Sequence, residues 1–239
     1  MNQKLRPLKI ELNESNDICS VKLDYGKTSV ICTIVGPLTS KGQFSEKGVL
    51  ECEVRFTGGS SRLESDKGQS SGSLTSEERQ LSLQVHDALY SSILLSKYPK
   101  STIAIYILIM TRNGSELAAC INSASIALTH ANIELQDVVT ACTIYNTKSN
   151  SDTNDNNTNI EKNKEEEVLL VDPYPEDIDN ENVSRVVVAK MCNLQKITQV
   201  IQSGKSININ SLQEILDLGE QSCSELSNQI QQFLFQQQQ

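Results

Sequence analysis

A predicted strand followed directly by a helix of small residues is the feature that most constrains the fold of this chain. Residues 103–111, IAIYILIMT, form an apolar β-branched run that is typical of a buried strand. The Asn-Gly pair at 113–114 predicts a turn, and residues 117–131 predict a helix that Asn132 caps at its C-terminus. The free N–H groups at the start of such a helix commonly bind a phosphate. Glu116 stands there instead, and no Arg or Lys follows it in the first turn.

Strands dominate the first third of the chain. Residues 18–35 predict two strands around a turn that contains Gly26. The stretch VLECEVRF (49–56) alternates apolar and charged residues and therefore predicts a half-buried strand. A helix is expected to begin after a cap at Thr75 or Ser76 and to run to about Lys97.

The second half repeats that order. Four segments predict strands, and a long amphipathic helix follows an N-cap at Asn210. The four segments are 138–145, 168–172, 183–192 and 197–203. Strands and helices in this order predict an α+β fold in which two sheets and helices form a sandwich.

Residues 1–145 and 168–239 are predicted to form one domain. The segment 146–167 is rich in Asn and acidic residues, so we expect a disordered insertion, and residues 236–239 form a poly-Gln tail. A Gly/Ser-rich stretch at 57–73 is expected to be an exposed loop, with a working loop and a slack connector left as alternatives.

The negative charge of the chain is local. Residues 146–182 hold 11 Asp and Glu against 3 Lys, whereas the remainder holds 19 acidic and 18 basic residues. A nearly neutral body does not favour a stand-alone nucleic-acid binder, which usually presents a basic face. The longest apolar stretch, 103–110, is too short to span a bilayer, so a soluble intracellular protein without membrane contact is expected.

The seven cysteines are spread through apolar segments without a C-x-x-C pair. This spacing favours buried free thiols over disulfides or a zinc site, and no cofactor or metal is predicted.

Four segments resemble the RNase PH family. They are LRPLKIEL (5–12), GKTSVICTIVGP (26–37), the helix and strand at 77–103, and NGSELAACINSASIALTHANI (113–133). The last resembles the family's Asp-Gly-Gly-Thr-Arg turn with its small-residue helix. The resemblance implies an RNase PH-like fold (ribosomal protein S5 domain 2-like), a two-layer sheet/helix arrangement with βαβα halves.

Within the family the chain resembles the ring subunits of the eukaryotic RNA exosome. The form of the turn and helix is most similar to the subfamily of ribosomal RNA-processing protein 46. The resemblance implies a six-membered ring of related subunits.

The resemblance places a phosphate site at the turn, where active members present a Gly-Thr-Arg sequence. The matching positions here are Ser115, Glu116 and Leu117. A second phosphate-binding Arg of the family matches Asp87. A glutamate about 4 Å from a phosphate charge is repulsive by about 1 kcal/mol in water and about 4 kcal/mol at an effective dielectric of about 20. The phosphate site is therefore expected to be degenerate.

The positions that match the family's two catalytic carboxylates are not both acidic in this chain. Asp177 matches the first, while the second falls on Val183 or Ser184, neither of which is acidic. Asp177 and Asp179 are conceivable surrogates, and a solvated acidic loop is the simpler interpretation. No catalytic residue is predicted.

The family's pore region corresponds to residues around the Gly/Ser loop. Four basic residues there are candidates for RNA contact, with a solvated loop as the equal alternative: Arg55, Arg62, Lys67 and Arg79. The only two histidines, His86 and His130, are expected to be helix-surface groups rather than catalysts.

The sequence and the resemblance together predict a non-catalytic structural subunit of the RNA exosome core ring. Its expected partners are other RNase PH-like ring subunits, RNA-binding cap subunits and RNA in the assembled channel, in nucleus, nucleolus and cytoplasm. Two alternatives stay open: an active phosphate-dependent 3′–5′ exoribonuclease and a stand-alone RNA-binding module of the same fold.

Overall fold

Two sheets and three long helices make up the described part of the chain. The computed structural model describes residues 5–15, 18–39, 45–57, 74–148, 167–178 and 183–237. Residues 149–166 of the predicted 146–167 insertion and most of the Gly/Ser loop, including Arg62 and Lys67, lie outside the described residues.

The first sheet has five strands in the order β1-β2-β3-β5-β4. Neighbours run antiparallel except β4 and β5, which are parallel. The strands are β1 (Leu8–Ser15), β2 (Ile18–Tyr25), β3 (Thr28–Thr39), β4 (Val49–Phe56) and β5 (Ser101–Thr111). The predicted hairpin at 18–35 is confirmed, and Gly26 takes the positive φ of 63° that its turn needs.

The second sheet has four antiparallel strands in the order β7-β6-β8-β9. They are β6 (Val139–Lys148), β7 (Glu167–Val171), β8 (Ser184–Met191) and β9 (Lys196–Gly204). Strands β6 and β7 extend into both ends of the predicted 146–167 insertion.

The helices separate and cover the sheets. They are α1 (Ser76–Tyr90), α2 (Glu116–His130) and α3 (Ile209–Gln237). Helix α1 packs on β4, α2 packs between β2–β3 and β6, and α3 packs on β6 and β8. The layers are therefore sheet, helices α1 and α2, sheet, and helix α3. The α+β fold class is confirmed, with a single α-helix among the described residues of the second half.

The position of α2 between two sheets explains its small residues. Every side chain from Leu117 to Leu128 is buried, so bulky residues would push the sheets apart. Its one buried amide, Asn122, pairs with the backbone of Ala141 in β6, accepting at 2.7 Å and donating at 2.9 Å. The polar group is thus satisfied inside the core.

Helix boundaries differ from the sequence prediction in all three helices, and α2 lies one residue earlier at both ends than the predicted 117–131. Helix α1 ends at Tyr90 and not near Lys97, because the Ser92 hydroxyl bonds the Leu89 carbonyl at 2.8 Å and Ile93 pairs with Leu135. Helix α3 begins at Ile209, one residue before the predicted cap. No described helix is long and apolar enough to cross a membrane. All seven cysteines are free, and five are buried.

Glu78 joins the start of α1 to the end of β4. Its carboxylate accepts from the Phe56 and Thr75 backbone N–H groups, each at 2.8 Å, and Thr75 accepts in return from the Glu78 N–H at 3.2 Å. This reciprocal capping box satisfies N–H groups that the helix leaves unpaired. Burial opposes ionisation of Glu78, but these hydrogen bonds outweigh it and lower its pKa below the usual 4.5.

We expect Glu78→Ala to lower the free energy of unfolding by about 1–3 kcal/mol, because it removes a helix cap and leaves the Phe56 N–H without its acceptor. A group with a lowered pKa stabilises the fold above its unfolded-state pKa and loses that effect as pH falls through the folded-state pKa. Denaturant unfolding of both proteins should therefore show a constant difference near neutrality that closes below pH 4.5.

Arg79→Ala is the control, since the neighbouring side chain is exposed on the same helix turn. A difference between Glu78→Ala and the wild type that does not change with pH would contradict the role of the ionised carboxylate.

Candidate functional site

The turn between β5 and α2 has an unusual backbone. Gly114 and Ser115 both take positive φ values, 80° and 55°. Ser115 is almost fully buried, and its hydroxyl donates to the Asp172 carboxylate at 2.7 Å. The predicted phosphate-site serine therefore faces the protein interior, where its hydroxyl already has a partner.

Arg6 fixes this turn to the segment that follows β7. Its guanidinium donates to the carbonyl oxygens of Asn113 at 2.9 Å, Gly114 at 3.2 Å and Asp172 at 2.6 Å, and also to that of Pro173. The side chain is 4% exposed. A buried cation bonded to four carbonyls makes the turn rigid, since each bond involves a charged donor.

Asp172 is the acidic counterpart of Arg6. Its carboxylate accepts from Ser115, from the Thr143 N–H at 3.0 Å and from the Tyr25 hydroxyl. Burial raises the pKa of Asp172, and the three donors and the Arg6 charge oppose that rise. Burial and the Asp172 charge raise the pKa of Tyr25, so this hydroxyl stays a donor.

A cleft of about 200 Å³ opens beside the turn, between α1, the start of α2 and the second sheet. Its charged lining consists of two acidic and two basic residues, so these formal charges cancel. They are Glu77, Arg112, Glu116 and Arg185, with Gln80, Leu81, Gln84, Leu117, Val187, Ile201, Gln202 and Ser203 around them.

Arg112 is bound within the cleft by the protein's own carboxylates. Its guanidinium contacts Glu77 at 2.5 and 3.2 Å and Glu116 at 3.6 Å, and it lies 4.3 Å from the centre of the Phe56 ring. Burial by itself lowers the pKa of Arg112, but the two glutamates outweigh it and raise the pKa. Glu77 thus occupies the two-pronged position that a phosphate would need.

The predicted phosphate-site residues do not all meet. Glu116 and Leu117 line the cleft, whereas Asp87 is exposed and hydrogen bonds to His86 at 3.0 Å. The α1 positions that face the cleft are Glu77, Gln80, Leu81 and Gln84. Asp87 is thus absent from the lining of the cleft, and its match to the family's phosphate-binding arginine stays a prediction.

The predicted carboxylate positions also differ from a catalytic pair. Ser184 is buried and donates to the Lys205 carbonyl at 2.8 Å, and Val183 precedes β8. The next residue, Arg185, lines the cleft and donates to Ser203 at 3.0 Å. Asp177 ends a short 3₁₀ turn at Pro175–Asp177, and Asp179 lies outside the described residues.

The two described candidates for RNA contact do not line the cleft. Arg55 is paired with Glu53 on the exposed face of β4, and Arg79 is exposed on α1. RNA contact by these residues stays a prediction. In the described part of the chain, no three His, Cys, Asp or Glu residues are grouped as metal ligands would be.

Sequence reasoning missed the roles of Arg6, Asp172, Arg112 and Arg185. Arg6 stands in the quoted LRPLKIEL segment, and Arg112 directly precedes the Asn-Gly turn. Their partners lie far away in sequence, however, such as Glu77 for Arg112 and Asp172 for Arg6. Only the folded arrangement brings these groups together.

Comparison with known proteins agrees with this architecture. The profile of the 3′ exoribonuclease family, domain 1 (RNase PH), matches residues 4–134. Exosome complex component MTR3 of Mus musculus is 25% identical over 90% of this chain and 77% of its own length. Exosome complex component RRP41-like of Arabidopsis thaliana is 32% identical over 52% of this chain, which spans 46% of that protein. The crystal structure of rice (Oryza sativa) Rrp46 shares the fold, with a TM-score of 0.72 and 19% identity over 97% of this chain and 96% of that one.

We expect Arg6→Ala to lower the free energy of unfolding by about 3–5 kcal/mol, because it leaves buried carbonyls and the Asp172 carboxylate without their cation. Denaturant unfolding measures the loss. Lys9→Ala, three residues further on in strand β1, removes an exposed cation and should leave the unfolding free energy essentially unchanged. An Arg6→Ala protein as stable as the Lys9→Ala control would contradict the structural role of this arginine.

Proposed function

Because the chain belongs to the RNase PH family of 3′ exoribonucleases, we propose that it is a non-catalytic structural subunit of an RNA exosome ring. Relatives that align with most of the chain include exosome complex components, such as mouse MTR3. In this proposal the chain contributes one position of a ring of related folds. Its partners are the neighbouring RNase PH-like subunits, the cap subunits and the RNA that passes through.

The absence of catalysis is proposed from the electrostatics of the cleft. Phosphorolysis needs cationic groups that are free to bind inorganic phosphate and carboxylates that can hold a metal or move a proton. Arg112 is already neutralised by Glu77 and Glu116, and Ser115 is committed to Asp172. This internal neutralisation of Arg112 is the single observation that carries the proposal.

The residues at the expected carboxylate positions support the same conclusion. The two carboxylates that line the cleft, Glu77 and Glu116, are both paired with Arg112. Ser184 bonds a carbonyl, and Arg185 brings a positive charge beside it. A cation at this position would repel the divalent metal that a carboxylate pair would hold.

The proposal extends to the role and location of the complex. The assembled ring would support 3′-to-5′ maturation of ribosomal RNA and the turnover of small nuclear, small nucleolar and messenger RNA, in nucleus, nucleolus and cytoplasm. The type of ring subunit stays a prediction. The sequence resemblance favours the subfamily of ribosomal RNA-processing protein 46, whereas the named sequence relatives include MTR3 and RRP41 components.

We expect the purified chain to release no nucleoside diphosphates from RNA in the presence of inorganic phosphate and magnesium, because the charge of Arg112 is already paired with Glu77 and Glu116. Chromatography of the products measures this, and a reaction without protein sets the background. Asp177→Asn should change nothing. Diphosphate release by the wild type that Asp177→Asn abolishes would establish the catalytic alternative.

Ring membership is tested separately. We expect the epitope-tagged full chain, captured from its native cells, to co-purify with other exosome components in near-equal amounts. Native mass measurement of the eluate distinguishes a ring from a free chain. Recovery of the chain alone, as a monomer, would contradict membership and favour a stand-alone module.

A further inference from the structure

Three buried cysteines lie where helix α3 packs on the second sheet. Cys142 belongs to β6, Cys223 belongs to α3, and Cys192 directly follows β8. The Cys192 sulfur contacts the Thr140 hydroxyl at 3.1 Å and the Cys223 carbonyl oxygen at 3.4 Å. These thiols take no part in the cleft or in the proposed function.

Two of the three sulfur atoms touch each other. The Sγ atoms of Cys142 and Cys223 are 3.6 Å apart, although 81 positions separate the residues in sequence. Each sulfur also lies 3.5 Å from a backbone carbonyl oxygen, that of Gly219 for Cys142 and that of Val188 for Cys223. A disulfide bond is about 2.05 Å long, so the two atoms need to approach by only about 1.5 Å.

Gly219 accounts for this close approach of helix and strand. It lies four residues before Cys223 and therefore about one helical turn away. A Cβ atom at this position would lie 2.9 Å from the Val188 side chain and 3.2 Å from that of Ile144. Any larger residue would hold α3 further from the sheet, so the glycine keeps the sulfurs of Cys142 and Cys223 in contact.

The closed interface protects the two thiols. The contact with Cys223 and burial both raise the pKa of Cys142, and a protonated thiol is a poor nucleophile. Helix α3 is an outer layer that packs on β6, β7 and β8. Local opening of such a layer exposes the pair to a small oxidant while the core of the first half stays folded.

We propose that Cys142 and Cys223 form a reversible disulfide under peroxide oxidation, which joins α3 covalently to β6. Hydrogen peroxide first oxidises one thiol to a sulfenic acid, as the O–O bond breaks and one water leaves. The second thiol then attacks the sulfenic sulfur, the S–S bond forms and a second water leaves. Two thiols thus lose two electrons and two protons, and one peroxide becomes two waters.

The bond would stabilise the position of α3. It closes a loop of about 80 residues, which restricts the unfolded chain, and a thiol reductant restores both cysteines. This inference does not rest on the proposed function, because the sulfur pair is present whether or not the chain enters a ring.

The test treats the full native chain with hydrogen peroxide, blocks the remaining thiols and maps tryptic peptides by mass spectrometry without reduction. Trypsin leaves Cys142 in peptide 113–148 and Cys223 in peptide 206–239. We expect these two peptides to be joined. Fragmentation should place the bond at Cys142 and not at Cys120, which lies in the same peptide, and dithiothreitol should separate the two peptides.

Cys142→Ala should abolish the cross-link. Cys120→Ala is the matched control, because it removes another fully buried thiol from the same peptide and should leave the cross-link intact. Thermal melts of the reduced proteins check that both variants fold.

Urea unfolding measures the effect on stability. Oxidation should raise the urea midpoint of the wild type, and reduction should restore it, whereas the same treatment should not raise the midpoint of Cys142→Ala. Native oxidation without this bond, a cross-link that survives in Cys142→Ala, or a linked protein that unfolds at a lower urea concentration than the reduced one would each overturn the proposal.

Discussion

The contact of Arg6 and Asp172 with the Asn113–Ser115 turn is the constraint on which the architecture depends. It joins the N-terminal segment, the connection between β5 and α2, and the residues after β7, which belong to both halves of the chain. A buried guanidinium and a buried carboxylate are each costly unless all their bonds are made. Here the carbonyls, hydroxyls and N–H groups around them supply those bonds, so the turn, the sheet and the helix hold one relative position.

Helix α2 depends on this arrangement because it begins at the fixed turn and then passes between the sheets. Its small buried residues set the distance between β2–β3 and β6. The element that would present N–H groups to a ligand is therefore also the centre of the core. A substitution at Glu116, the first residue of α2, can change the charge beside the turn without altering the core, whereas changes from Leu117 onward alter the core itself. In the proposed function, this separation would let the fold persist while the residues at the turn change.

Local patterns carried most of the fold prediction, and long-range contacts account for what it missed. The alternation in VLECEVRF predicted strand β4, and Gly26 predicted the turn of the β2–β3 hairpin. Both patterns lie within a few neighbouring residues, so the sequence alone contains them. The predicted end of α1, near Lys97, was about two turns too late. The helical spacing of apolar residues continues past Tyr90, but the Ser92 hydrogen bond and the Ile93–Leu135 bridge end the helix there. Asp87 was matched to the family's second phosphate-binding arginine from the residues next to it in sequence. In the structure its side chain is exposed on α1 and does not line the cleft. The Arg112–Glu77 pair spans 35 positions and has no local signature.

The Arg112–Glu77 pair gives a different reason for expecting that the cleft binds no phosphate. The sequence suggested a site without cations, yet the cleft contains Arg112 and Arg185 together with two glutamates. An incoming phosphate would have to displace Glu77, which is held on the same protein at an effective concentration of at least the millimolar order. Displacement would also leave Glu77 and Glu116 unpaired beside a new anion, with repulsion of about 4 kcal/mol each at 4 Å and an effective dielectric of about 20. In the proposed function the cleft is therefore closed to phosphate by an internal carboxylate, and its arginine stabilises the contact of α1 with the turn instead.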